Sequence, residues 1–181
     1  ILSGCNNISF SDINIYHCGG MGIVAQMSRD ILIDHVNVTP APQGGRVVSL
    51  TADATHFANC SGYIRMTNCL FENQKDDATN IHGLYAQIDS VLSEKEFLVR
   101  LVHPQQYGVR FIVPNQKIEF VDAQSLETYT QNEVKTVEYI NKEHMKVTVK
   151  QPLSKEVKLK DGIASITDQP DVFISNCRMQ G

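Results

Sequence analysis

Apolar residues recur two apart in short runs along most of the chain, which predicts strands with one buried face. Four nine-residue segments align: NISFSDINI (7–15), DILIDHVNV (30–38), YIRMTNCLF (63–71) and DVFISNCRM (171–179). Their second position is Ile8, Ile31, Ile64 and Val172, and their fourth is Phe10, Ile33, Met66 and Ile174. The seventh, Ile13, Val36, Cys69 and Cys177, is apolar or thiol throughout. The sixth is Asp12, His35, Asn68 and Asn176, mostly short and polar, as a bend between two short strands requires. Ile8 and Ile31 lie 23 residues apart, Ile31 and Ile64 33, and Ile64 and Val172 108. A strand-rich repeat of about 23 residues predicts an all-β fold of right-handed parallel β-helix coils, each stacked on the last.

Two interruptions break the period. The first falls at 39–45, TPAPQGG, whose two prolines and two glycines predict a loop. The second is the long stretch before the repeat returns at Asp171. From about Tyr85 to Ile166 the runs FLVRLV, VRFIV, KIEFV, KTVEYI, MKVTVK and EVKLK follow one another at brief spacing. They predict a small antiparallel β-barrel or sandwich inserted between coils. The expected organisation is thus β-helix coils over 1–84, the inserted barrel over 85–166, and a return to the β-helix over 167–181.

Composition narrows the field. The 181 residues carry a net charge of −4 without a long basic run, so no nucleic-acid partner is expected. No apolar run is long enough to span a membrane. The five cysteines, Cys5, Cys18, Cys60, Cys69 and Cys177, form no CxxC pair, and they read as buried free thiols rather than zinc ligands. The chain opens within a strand-like pattern, with no starting Met, and stops just after another such run. A piece of a longer protein is therefore expected. The oligomeric state is not fixed by the sequence.

Coil register gives meaning to two acidic stretches. Asp76 follows Asp53 by 23 residues, one repeat length, and DAT occurs at both 53–55 and 77–79. Asp53 is therefore expected against the Asp76–Asp77 pair of the next coil, with Asp77 one residue out of register. Three carboxylates within about 4.8 Å of strand spacing repel one another. A site that keeps one acid protonated beside one ionised is what glycosidic bond hydrolysis needs. Solvated turns and a calcium site compete with that reading, although no DxDxDG loop is present. His56, Asn80 and His82 flank the acids as short polar groups suited to sugar hydroxyls. No GxSxG elbow supports a serine hydrolase.

Three other β-helix functions come under consideration. A polygalacturonase-like hydrolase would show an NTD motif, which is missing. A polysaccharide lyase would want calcium and a basic residue at the acids, where Arg46 and Arg65 are the only nearby arginines. A non-catalytic carbohydrate-binding or surface module is the third.

Over 52–85 the sequence resembles glycoside hydrolase family 110, through DATHF and DDATNIHG joined by a Cys-containing link. Thr79 departs from the apolar residue usual in that motif. The resemblance implies an exo-acting α-galactosidase that removes terminal α-1,3-linked galactose from glycans with inversion, without metal or cofactor. It implies Asp53, Asp76 and Asp77 as the catalytic acids. A galactose-terminated glycan is then the expected substrate, and a secreted or periplasmic location is expected.

Overall fold

The computed structural model describes residues 1–180. In chain order the strands are β1 (Leu2–Ser3), β2 (Asn6–Ile15), β3 (Ile23–Gln26), β4 (Arg29–Val38), β5 (Thr55–Ala58), β6 (Ser61–Thr67), β7 (Leu70–Glu72) and β8 (Thr79–His82). They continue with β9 (Tyr85–Val91), β10 (Glu96–Arg100), β11 (Lys117–Val121), β12 (Thr128–Tyr139), β13 (His144–Val149), β14 (Gly162–Ser165), β15 (Pro170–Ser175) and β16 (Arg178–Gln180). The chain is all-β and divides into two compact units, one of Ile1–His82 with the segment from Asp168 onward, the other of Gly83–Thr167.

The first unit holds two parallel sheets. One has the order β1-β3-β5-β8, the other β15-β6-β4-β7-β16 with β2 on β4. In the second sheet the nine-residue repeat falls into register: Ile8 pairs with Ile31, Ile31 with Ile64, and Ile64 with Val172. The apolar columns make the core, where Ile31, Ile33, Val36, Ile64, Met66 and Phe71 are all sealed from solvent. Cys69 sits in this core, and burial pushes its thiol up. All five cysteines are free thiols; Cys60 and Cys69 are buried, while Cys5, Cys18 and Cys177 are partly so.

The sixth repeat position is where the backbone turns left-handed, with φ of 58° at Asp12, 50° at His35, 56° at Asn68 and 50° at Asn176. Asn and Asp tolerate that region because their short side chains bond locally. His35 is the bulky exception, and its Nδ1 reaches Asp34 Oδ2 at 2.9 Å. Asp34 also accepts from the Thr67 hydroxyl (2.5 Å) and the Asn68 amide (2.9 Å). The Thr67 hydroxyl, then the His35 and Asn68 donors, hold the Asp34 carboxyl down at about 2. The hydrogen bond that His35 donates to Asp34 raises His35 in turn.

A depressed carboxylate stabilises the fold above its unfolded value near ~4 and loses that contribution as pH falls toward its folded value. A raised histidine contributes fully below ~6.5 and loses it as pH climbs through the raised value. The melting difference between the native protein and Asp34→Asn should therefore be largest at mildly acidic pH. It should shrink as pH drops from ~4 toward 2, which thermal scans across pH will show.

The second unit is a closed antiparallel barrel in the order β10-β13-β12-β11-β14-β9. Two expected strands do not form. Residues 109–113 bury Phe111 and Ile112 without joining a ladder. Residues 155–160 run through turns, because buried Asp161 accepts from Lys158 N (3.1 Å), Ala123 N (3.3 Å) and the Tyr129 hydroxyl (2.7 Å). Those bonds tie the segment to a side chain rather than to a neighbouring strand. Residues 39–45 hold no strand, as their proline and glycine content predicts.

Candidate active site

The site is built on β5 and β8 and the bends that precede them. Thr55 pairs with Thr79 and His56 with Asn80. This parallel register is 24 residues, one more than the repeat of the other sheet. It corrects the expected alignment: Asp53 lies level with Asp77, not with Asp76. The Ala54 N–H donates to the Asp77 carbonyl at 2.9 Å, and the Gly22 N–H to the Asp53 carbonyl at 2.9 Å. The extra residue is taken up in β6, where the register shifts between the Arg29–Ser61 and Ile31–Ile64 pairs. The bend between β7 and β8 carries both acids of the pair.

Asp53 is buried, only 3% exposed, whereas Asp76 and Asp77 stand in solvent. One oxygen from each of the three carboxylates lies within 4.8 Å of the others. Such a trio has donors suitable for a hard cation as well as for acid/base work. His56 Nδ1 lies 2.7 Å from Asp53 Oδ2, and its Nε2 lies 3.0 Å from His82 Nε2. The two rings meet edge to face, 4.9 Å between centroids. With Nδ1–H donating to Asp53, His56 Nε2 accepts from the His82 Nε2–H. Asn80 donates to Asp77 Oδ2 at 3.3 Å, and Asp76 Oδ1 accepts from the Asp77 N–H at 3.1 Å.

All six residues singled out in the sequence thus fall in one place. Both ring nitrogens of His56 are engaged by protein groups, while Asp76, Asp77 and His82 present exposed polar atoms. Sequence reading missed two contributors. Gln74, on the bend that carries the acid pair, is buried, and its Oε1 has no hydrogen-bond partner among the described residues. Gly22 lies so close to the strand that follows Asp53 that a Cβ there would stand 2.5 Å from the Ala54 carbonyl oxygen and 3.0 Å from Leu50 Cδ1. Gly22→Ala should cost roughly 1–3 kcal/mol by overpacking, a loss that chemical denaturation will measure. The two arginines that a lyase would require are committed elsewhere. Arg65 lies over the Phe173 ring, 5.3 Å to its centroid, and Arg46 is 3.2 Å from His17 Nδ1.

The parallel-stranded unit thus carries clustered carboxylates with hydrogen-bonding neighbours, and the other unit is an antiparallel barrel. Residues 96–163 match the family described as GLAA-B beta-barrel domain II. Over nearly its whole length the chain is homologous to curated alpha-1,3-galactosidases. It is 39% identical over 176 residues to alpha-1,3-galactosidase A of Shewanella woodyi, covering 97% of this chain and 29% of that protein. It is 32% identical over 174 residues to alpha-1,3-galactosidase A of Akkermansia muciniphila, covering 95% and 29%. Alpha-1,3-galactosidase B of Phocaeicola vulgatus is 31% identical over 185 residues, covering 97% and 31%. The chain therefore spans about three-tenths of the length of these relatives, and the resemblance first drawn from DATHF and DDATNIHG extends to both of its units.

Proposed function

We propose that this chain carries the catalytic centre of an exo-acting glycoside hydrolase that removes terminal α-1,3-linked galactose from glycans. The observation that carries the reading is the gathering of Asp53, Asp76 and Asp77 within 4.8 Å of one another, in a chain similar to alpha-1,3-galactosidases. The two parallel sheets are taken as the faces of right-handed parallel β-helix coils spanning 1–84 and 167–181, with the barrel of 85–166 inserted between them. A secreted or periplasmic setting suits a protein acting on such glycans.

In this reading Asp53 and Asp77 are the working pair. One protonates the leaving oxygen, and the other activates water on the opposite face of the sugar. Asp76 and Asn80 bind the sugar and tune the local charge. His56 is assigned to hold Asp53 through its Nδ1–H, and His82 to fix the His56 ring while facing the substrate.

An inverting pair stands ~6.5–9.5 Å apart, so substrate and water must part Asp77 from Asp53 as they enter. Asp77 lies on an exposed bend and can give way, whereas Asp53 is locked by burial and by His56. A second reading comes from the short spacing itself: carboxyls ~5–5.5 Å apart suit a retaining mechanism with a covalent intermediate. Proton NMR of the first galactose released from an α-galactoside distinguishes them. The β-anomer is expected; the α-anomer would overturn inversion.

A further inference from the structure

The barrel holds a cavity of about 300 Å³, lined by Leu101, Gly108, Val109, Arg110, Tyr139, Asn141, Lys142 and Met145. Its two cations both lie against aromatic rings. The Arg110 guanidinium lies over the Tyr139 ring, 4.5 Å from its centroid, and the Lys142 ammonium lies 5.3 Å from the centroid of Tyr107. Four other basic side chains of the barrel pair with acids: Arg100 with Glu143, Lys146 with Glu138, Lys150 with Glu133 and Lys158 with Asp122. Arg110 and Lys142 have no carboxylate partner among the described residues, and the acid beside Lys142 in the chain, Glu143, is taken by Arg100.

An aromatic face holds a cation in place without neutralising it. Two such cations at the edge of one cavity are prepared for an anion. The remaining lining is unlike a bare ion site. Leu101 and Met145 are buried and supply apolar surface suited to the C–H face of a ring. Asn141 turns its Oδ1 to the backbone N–H groups of Glu143 and His144, so its amide nitrogen is left as a donor. The volume also reaches the lower end of small-molecule sites, ~300–1,000 Å³.

We propose that this cavity is an accessory binding site for an acidic sugar, with Arg110 and Lys142 gripping a carboxylate or sulfate ester and Leu101 and Met145 bearing the ring. The proposal extends the functional reading to a second subsite on the barrel, and its test does not depend on galactoside turnover.

The test is isothermal titration of the complete protein carrying this chain with three probes: methyl β-glucuronide, methyl β-glucoside and sodium sulfate. Glucuronide and glucoside differ only in the carboxylate, and neither is a galactoside. Glucuronide should bind about 10-fold or more tightly than either of the others, as a desolvated charge-assisted hydrogen bond warrants. Arg110→Ala and Lys142→Gln should each remove most of that preference, with aryl α-galactoside turnover and the melting temperature unchanged. Equal binding of glucuronide and glucoside, or undiminished glucuronide binding in the two variants, would overturn the proposal. Sulfate alone matching the glucuronide would reduce the cavity to an inorganic-anion site and overturn it as well.

Discussion

Asp53→Asn should lower kcat for α-galactoside hydrolysis by roughly 10²–10⁴-fold, the range that one general acid or base supplies. The substitution is nearly isosteric, and the Asn carbonyl can still accept from His56 Nδ1–H, now 2.7 Å from Asp53 Oδ2. The backbone bond from Gly22 to residue 53 is untouched. The melting transition should therefore stay nearly in place, and KM should change far less than kcat, because the buried carboxylate works on the reaction more than on binding. Steady-state kinetics beside a thermal scan will separate the two effects. Near-normal turnover in the variant would remove Asp53 from the mechanism, and a collapse of stability would make it a structural acid.

The largest expected loss of stability is at Phe57. Its ring is completely buried, on the strand that carries His56 and directly follows Asp53. It pairs in register with Ala25 on one side and Ile81 on the other. It belongs to the same buried cluster as Ile23, Leu50 and Phe71. Phe57→Ala should therefore cost about 3–5 kcal/mol, the transfer free energy of the ring plus the cavity left behind. Urea titration should show a lower midpoint. Val47→Ala is the control: Val47 is 80% exposed, and its truncation should leave the midpoint within error.

Much of the parallel-sheet unit was legible because its signals are local. The pairs Ile8–Ile31–Ile64–Val172 and Phe10–Ile33–Met66–Ile174 were readable as columns from period-2 alternation, and the ladder joins those residues. The bend position was readable because Asp and Asn favour left-handed backbone, and Asp12, Asn68 and Asn176 adopt it. Register in the other sheet was only partly legible. DAT at 53–55 and 77–79 marks the 24-residue step from Thr55 to Thr79, but the 23-residue period of the first sheet competes with it, and β3, β5 and β8 are only four residues long.

In the barrel, alternation reported burial rather than pairing. Residues 109–113 alternate and bury Phe111 yet join no ladder, while β14, Gly-Ile-Ala-Ser, pairs on both sides with little side-chain pattern. The acids of the site were visible in sequence because Asp53 and the Asp76–Asp77 pair precede two strands, β5 and β8, that lie side by side. The contact between His56 and His82 was not, because those residues stand 26 apart and meet only through the β5–β8 pairing.

The central claim is that the trio of Asp53, Asp76 and Asp77 hydrolyses an α-1,3-galactosidic bond with side chains alone. The most direct measurement is galactose release from a glycan ending in α-1,3-linked galactose, by the complete protein carrying this chain, with and without an excess of chelator. The account predicts terminal galactose released at the same rate in both, and almost none from Asp77→Asn. Release abolished by chelator, or no release from the intact protein, would contradict it.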